Sequence, residues 1–171
     1  MRTGVLLVGW LLTVPSMPSA VEAQAHDARL ADRAIESVRS YVHFSIFDDV
    51  TVTVDRAVVR LDGRVTRPDK RTGLEARVGA LAGVREVVNA IKVLPRLESD
   101  TALRQSIANA IYGHPAFWHY AAMARPPIHI VVERGDVRLA GVVASHVERQ
   151  LAFALAQVTG AASLRNDLRV E

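Results

Sequence analysis

The chain contains no cysteine, so a disulfide framework, a thiolate metal site and a lipidated N-terminal cysteine are all excluded. Catalytic signatures are missing too. There is no GxSxG elbow, no P-loop, no GxGxxG and no HExxH pair. A large excess of either charge is also missing: the formal net charge is +3 and the sequence pI is near 9.8. That is a mildly basic protein compatible with anionic surfaces, without the dense basic footprint of a nucleic-acid binder.

Long hydrophobic runs are confined to the N-terminus. Arg2 precedes an apolar stretch from Gly4 to Val14, too short to span a bilayer as a mature helix, and Pro15 and Pro18 interrupt it. Small residues in Val21-Glu22-Ala23 and Ala23-Gln24-Ala25 suit a signal peptidase. Residues 1–25 therefore read as a signal peptide cleaved near Ala23 or Ala25, which leaves a mature chain held together by packed cores outside the cytoplasm.

What remains is one pattern written twice. Val59-Arg60-Leu61-Asp62-Gly63-Arg64-Val65 matches Val137-Arg138-Leu139-Ala140-Gly141-Val142-Val143. Upstream, Val50, Val52 and Val54 match Ile128, Ile130 and Val132; downstream, Gly83, Asn89, Ile91 and Val93 match Gly160, Asn166, Leu168 and Val170. An offset of about 78 residues is the length of a small domain. The chain divides into modules at 26–94 and 101–171 joined by a short Pro-opened linker at 95–100. Each module is near the lower size limit for independent folding, so the two are expected to pack on each other.

Periodicity gives the module's order. Ala31, Ala34, Ile35, Val38, Tyr41 and Val42 form a helical apolar stripe, and Val50–Val54 and Val59–Val65 alternate as a hairpin. Thr66 with Asp69, and Ser145 with Glu148, have capping-box spacing for a second helix. Those helices are expected to close near Gly83 and Gly160, before a last strand. The fold class is α+β: helix, strand, strand, helix, strand, with a three-stranded mixed sheet covered on one face by two helices. Gly63, Gly83, Gly141 and Gly160 read as structural glycines.

The strand ending Val-x-Leu-x-Gly-x-Val, a helix, and then Gly83-Val84-Arg85-Glu86-Val87-Val88-Asn89-Ala90-Ile91-Lys92-Val93 resemble the BON domain. The second copy departs at Ala161, where the pattern has Val, but keeps Asn166, Leu168 and Val170. The resemblance covers nearly all of the mature chain. It implies an envelope location and a non-enzymatic binding role, with associations to phospholipid membranes, osmotic or envelope stress protection and periplasmic chaperone activity. It supplies no catalytic residue and no cofactor.

Candidate binding residues lie where the copies differ. Aromatics follow the first helix of each copy: Tyr41, Phe44 and Phe47, then Tyr112, Phe117, Trp118 and Tyr120. They either close the small cores or, for Phe117, Trp118 and Tyr120 beside Arg125, meet a membrane interface. A basic track of Arg64, Arg67, Lys70 and Arg71 would attract anionic lipid, or is a solvated face interleaved with acids. Asp48-Asp49 reads as a solvated turn before a strand. The six histidines lack metal-ligand spacing, so no metal is expected. On the sheet face opposite the helices, the second copy presents His129, Val131, Ala140 and Val142, an apolar set that suits docking on the first copy or another protomer. The partner is thus an anionic phospholipid surface or an envelope protein. A soluble holdase-type chaperone and an accessory subunit of a secretion or outer-membrane complex are the competing readings.

Overall fold

In the computed structural model, residues 20–157 and 160–171 are described. Residues 1–19 of the expected signal peptide lie outside them, and Ala23 and Ala25 fall within the first helix. Among the described residues, no helix is long and apolar enough to cross a membrane.

The first module runs α1 (Ala20–Arg39), β1 (Asp49–Asp55), β2 (Val58–Val65), α2 (Pro68–Gly79) and β3 (Glu86–Val93). β2 is the central strand, antiparallel to β1 and parallel to β3. The second module repeats this as α3 (Glu98–Tyr112), β4 (Ile128–Glu133), β5 (Asp136–Val143), α5 (His146–Leu155) and a third strand split into β6 (Ser163–Asn166) and β7 (Arg169–Val170). Between α3 and β4 lie a 3-10 turn, Pro115–Phe117, and a short helix, α4 (Trp118–Ala121). Because α3 begins at Glu98, the last three residues of the expected linker are its first turn.

Each module has its own core. Leu30, Ala34 and Val38 of α1 meet Val59, Leu61 and Val65 of β2, Leu74 and Val78 of α2, and Ile91 of β3. The i, i+4, i+8 spacing from Leu30 is the true stripe; Ile35 and Val42 of the expected one are 38% and 83% exposed. α1 ends at Arg39, so Tyr41 and Val42 belong to the turns that follow it. In the second core, Ile107 and Ile111 of α3 pack with Ile128, Ile130, Leu139 and Phe117.

Two repeated devices tie the elements together. Asp27 in α1 accepts backbone N–H donors from Arg56 and Ala57 at 2.6 and 3.0 Å, and Asp100 in α3 accepts from Arg134 and Gly135 at 2.8 and 2.9 Å. In both hairpin turns these two residues have positive φ, the geometry that suits a right-twisted hairpin. Asn89 and Asn166 are the second pair: each donates its side-chain amide to a carbonyl of the module's second helix, Arg71 and Arg149 respectively.

The helix ends differ from expectation. Ser145 caps α5 by accepting from the Glu148 N–H at 3.1 Å, while the Glu148 carboxylate reaches the Ala144 N–H. Thr66 does not cap α2. Arg67 is the N-cap residue, and Thr66 instead turns its hydroxyl to Asp48 at 2.9 Å. α2 and α5 stop at Gly79 and Leu155, so Gly83 and Gly160 sit in the turns beyond, with φ +92° and +104°. At Gly63, a Cβ would lie 2.0 Å from the Asp49 carbonyl, and at Gly141 1.9 Å from that of Pro127. Close approach of the neighbouring strand therefore requires glycine at both.

Candidate functional site

The chain from Tyr112 to Pro127 is an excursion that the first module lacks, and it is anchored from below. The Tyr112 hydroxyl donates to the Ile128 carbonyl at 2.6 Å, and burial pushes its pKa up. Phe117 is fully buried, and Tyr120 stacks on it with its hydroxyl donating to Glu148 at 2.8 Å and accepting from the Ala144 N–H. Burial and Glu148 together raise the Tyr120 pKa. Neither ring is available to an outside partner, because each completes the second core. Trp118 is: its side chain is 61% exposed, with the indole N–H held by the Gly113 carbonyl at 3.1 Å. Met123, 47% exposed, follows on the same segment, and Val147, 75% exposed, adjoins the Glu148 that binds Tyr120.

The basic track is largely spent. Arg64 pairs with Glu133 of the other module at 3.0 Å, and Arg67 pairs with Asp69 at 2.5 Å. Lys70 is buried: its ammonium donates to Asp48 at 2.6 Å, Thr66 at 2.8 Å and Ser45 at 3.3 Å. Only Arg71 is left exposed and without a carboxylate partner among the described residues.

Asp48 is correspondingly not a solvated turn residue. It is fully buried and accepts from the backbone and hydroxyl of both Ser45 and Thr66 as well as from Lys70. Burial alone would raise its pKa, but the Lys70, Ser45 and Thr66 hydrogen bonds outweigh burial and hold it below the usual carboxylate range. Ser45 beside Lys70 has the residue types of a Ser-Lys dyad, yet the Ser45 hydroxyl donates to Asp48 at 2.7 Å and Lys70 donates to Ser45 at 3.3 Å, the reverse of the direction a base would need. This cluster is a structural tie between the start of β1 and α2. Sequence reasoning missed it because its members lie far apart in the chain and each reads separately, Asp48 as a turn, Thr66 as a helix cap and Lys70 as a solvated charge.

Asp49, the next residue, faces the other module and pairs with Arg138 at 2.5 Å. It is one of several links along a seam. Arg125 pairs with Glu36 of α1 at 2.9 Å, so it braces the excursion against the first module. The Ile46 carbonyl accepts the Ile130 N–H of β4 at 2.7 Å, and Ile46 and Phe47 pack on the second core. His129 lies under Phe44, with ring centroids 5.6 Å apart, and burial lowers its pKa. Val131 and Ala140 are buried on the same face and Val142 is half-buried. Between the modules a cavity of about 230 Å³ remains, lined by Arg39, Phe44, Ile46, Arg125, the Pro126–Pro127 pair and His129.

Among the described residues, no group of three or more His, Asp or Glu side chains is placed to hold a metal ion. The other histidines make local contacts: His114 accepts the Ala116 N–H at 3.2 Å, and His119 lies on the Tyr120 ring.

Comparison with known proteins places the two modules. A family model described as BON domain matches residues 26–95 and again 99–171. No curated protein matches the sequence. Among solved structures, the chain is similar to CdsD, a structural protein of the type III secretion system of Chlamydia trachomatis. The identity is 11% and the TM-score 0.32, over 86% of this chain and 92% of that one. The C-terminal domain of the same Chlamydia trachomatis protein matches at 13% identity and TM-score 0.28, over 80% of this chain and 96% of that domain.

Proposed function

The chain belongs to the BON-domain family, and from that premise we propose that it is a non-enzymatic periplasmic protein that docks on phospholipid surfaces of the envelope through α4. The observation that carries this reading is Trp118. A large aromatic side chain stands 61% exposed on a segment fixed by two buried aromatics beneath it. That rigidity matters: an anchored ring loses little conformational freedom when it enters an interface. Rings of this kind, with an apolar body and a polar edge, partition to the headgroup level of a bilayer.

Electrostatics has a smaller part. With Lys70 buried and Arg64 and Arg67 paired, the basic track contributes Arg71 and little else, so attraction to anionic lipid is weak and apolar insertion dominates. Cosedimentation with vesicles of phosphatidylethanolamine and phosphatidylglycerol, at low and high salt, tests this. Binding should survive salt and be lost in Trp118→Ala. Undiminished binding by that variant would sink the reading. Suppressed aggregation of an unfolded client without vesicles would support a holdase instead, and stable co-purification with one envelope protein would support an accessory subunit.

A further inference from the structure

The seam cavity has a chemistry of its own, separate from the α4 surface. Its walls are apolar on two sides, Phe44 and Ile46 from the first module and Pro126–Pro127 from the second. Its charged lining is entirely basic, Arg39 and Arg125, and no carboxylate lines it. The two arginines are not equivalent. Glu36 neutralises Arg125 at 2.9 Å, whereas Arg39, one helical turn beyond Glu36 on α1, has no acidic partner among the described residues. The site therefore carries one uncompensated positive charge beside an apolar slot. His129 completes the lining.

We propose that this inter-module cavity binds a small organic monoanion, its carboxylate received by Arg39 and its apolar body held between Phe44, Ile46 and the Pro126–Pro127 wall. One free guanidinium matches one negative charge; a dianionic phosphate monoester would leave a charge uncompensated at the edge of a half-apolar slot. The volume admits a body the size of a phenyl ring with a short tail, below the range of drug-sized ligand pockets. Contact is made with both modules at once, so the ligand also bridges the seam. The carboxylate belongs either to a free acid or to the C-terminus of a peptide ending in an apolar residue.

Isothermal titration of the mature full-length protein with 3-phenylpropionate, and with the uncharged 3-phenylpropanol, tests the proposal. A ligand of this size should bind with Kd of about 1 mM, and the alcohol at least about tenfold more weakly, the loss of one charge-assisted hydrogen bond. Arg39→Gln should weaken the acid by a similar factor, and Ala124→Phe, which fills the cavity from an exposed lining position, should abolish binding. The peptide Ala-Ala-Phe and its C-terminal amide separate the two sources: tighter binding by the peptide acid than by 3-phenylpropionate identifies a chain terminus, and binding by 3-phenylpropionate alone identifies a free acid. Equal binding of acid and alcohol, unchanged binding in either variant, or no binding by any probe up to about 20 mM, well above the Kd expected for this size, would overturn it.

Discussion

Arg138, in the central strand of the second sheet, reaches out of its own module to hold Asp49 at the start of β1, 2.5 Å away. Both side chains are about three-quarters or more covered, at 24% and 20% exposure, so this pair is screened less than a surface ion pair. Arg64 and Glu133 cross the same seam in the opposite sense, first module to second. Charges of each sign on each side fix the relative placement of the modules better than a one-sign patch could.

A double-mutant cycle on Asp49→Asn and Arg138→Gln should return a coupling of about 0.5–1.5 kcal/mol, above the usual surface value. Urea unfolding followed by Trp118 fluorescence and by circular dichroism measures it. In the double variant the two probes should separate, because coupled modules unfold together and uncoupled ones do not.

The Asp48–Lys70 pair should behave very differently. Asp48→Ala strands a buried ammonium and two backbone donors, a loss of about 3–5 kcal/mol, whereas Asp48→Leu with Lys70→Met should recover only the part owed to the ammonium, because the Ser45 and Thr66 N–H groups still lack an acceptor. The pH dependence follows from the depressed Asp48 pKa. A carboxyl whose folded pKa lies below its unfolded value of about 3.9 contributes fully above that value and loses its contribution as pH falls through the folded pKa. Wild type should thus lose stability between pH 4 and lower values more steeply than Asp48→Asn, as urea midpoints at about pH 7, 4 and 3 will show.

Gly63→Ala and Gly141→Ala each place a Cβ about 2 Å from a backbone carbonyl oxygen, that of Asp49 in β1 and that of Pro127 just before β4. Neither backbone can yield without breaking the ladder, and we expect losses above about 3 kcal/mol. At Gly160, where a Cβ meets nothing within 4 Å, only the left-handed backbone is penalised, and alanine should cost about 1–2 kcal/mol. Thermal denaturation of the three variants distinguishes the two causes.

Arg56 and Ala57 occupy positive φ in the first hairpin turn without being glycine or asparagine. Replacing them with Asn-Gly, the pair such turns favour, should stabilise the protein by about 0.5–1 kcal/mol. The Asp27 carboxylate, whose pKa is lowered first by the Ala57 N–H, keeps both its donors in that variant. Chemical unfolding checks the sign.

Phe117 and Trp118 are neighbours with opposite roles. Phe117→Ala removes a fully buried ring from the second core and should cost about 3–5 kcal/mol. Trp118→Ala should change stability by less than about 0.5 kcal/mol. A calorimetric scan of both variants tests the assignment, and a large loss for Trp118→Ala would mean its ring serves the fold.

How much of this was written visibly in the chain depends on the kind of signal. The hairpins were legible because alternation in Val50–Val54 and Val59–Val65 has one physical cause, a sheet with one buried face. The α1 stripe was harder: Ala31, Ile35 and Val42 are as apolar as Leu30, and only packing decides which side faces the sheet. Asp48 and Lys70 were illegible as a pair, since they lie 22 residues apart and each alone reads as a solvated charge. For Phe117 and Tyr120 the sequence leaves two readings, core closure and a membrane interface, because composition cannot tell a ring that closes a core from one that leaves it. Trp118, between them, is set apart only by the phase of a one-turn helix.

The bond from Ile130 to the Ile46 carbonyl has a practical bearing on how this protein can be divided. β4 is the outer strand of its sheet, and the Phe44–Phe47 segment is laid along its open side. Excised at the inter-module boundary, residues 99–171 would carry a bare strand edge with apolar residues beside it, the form of surface that recruits another copy. The second repeat is thus no portable cassette: it borrows its outermost layer from the first.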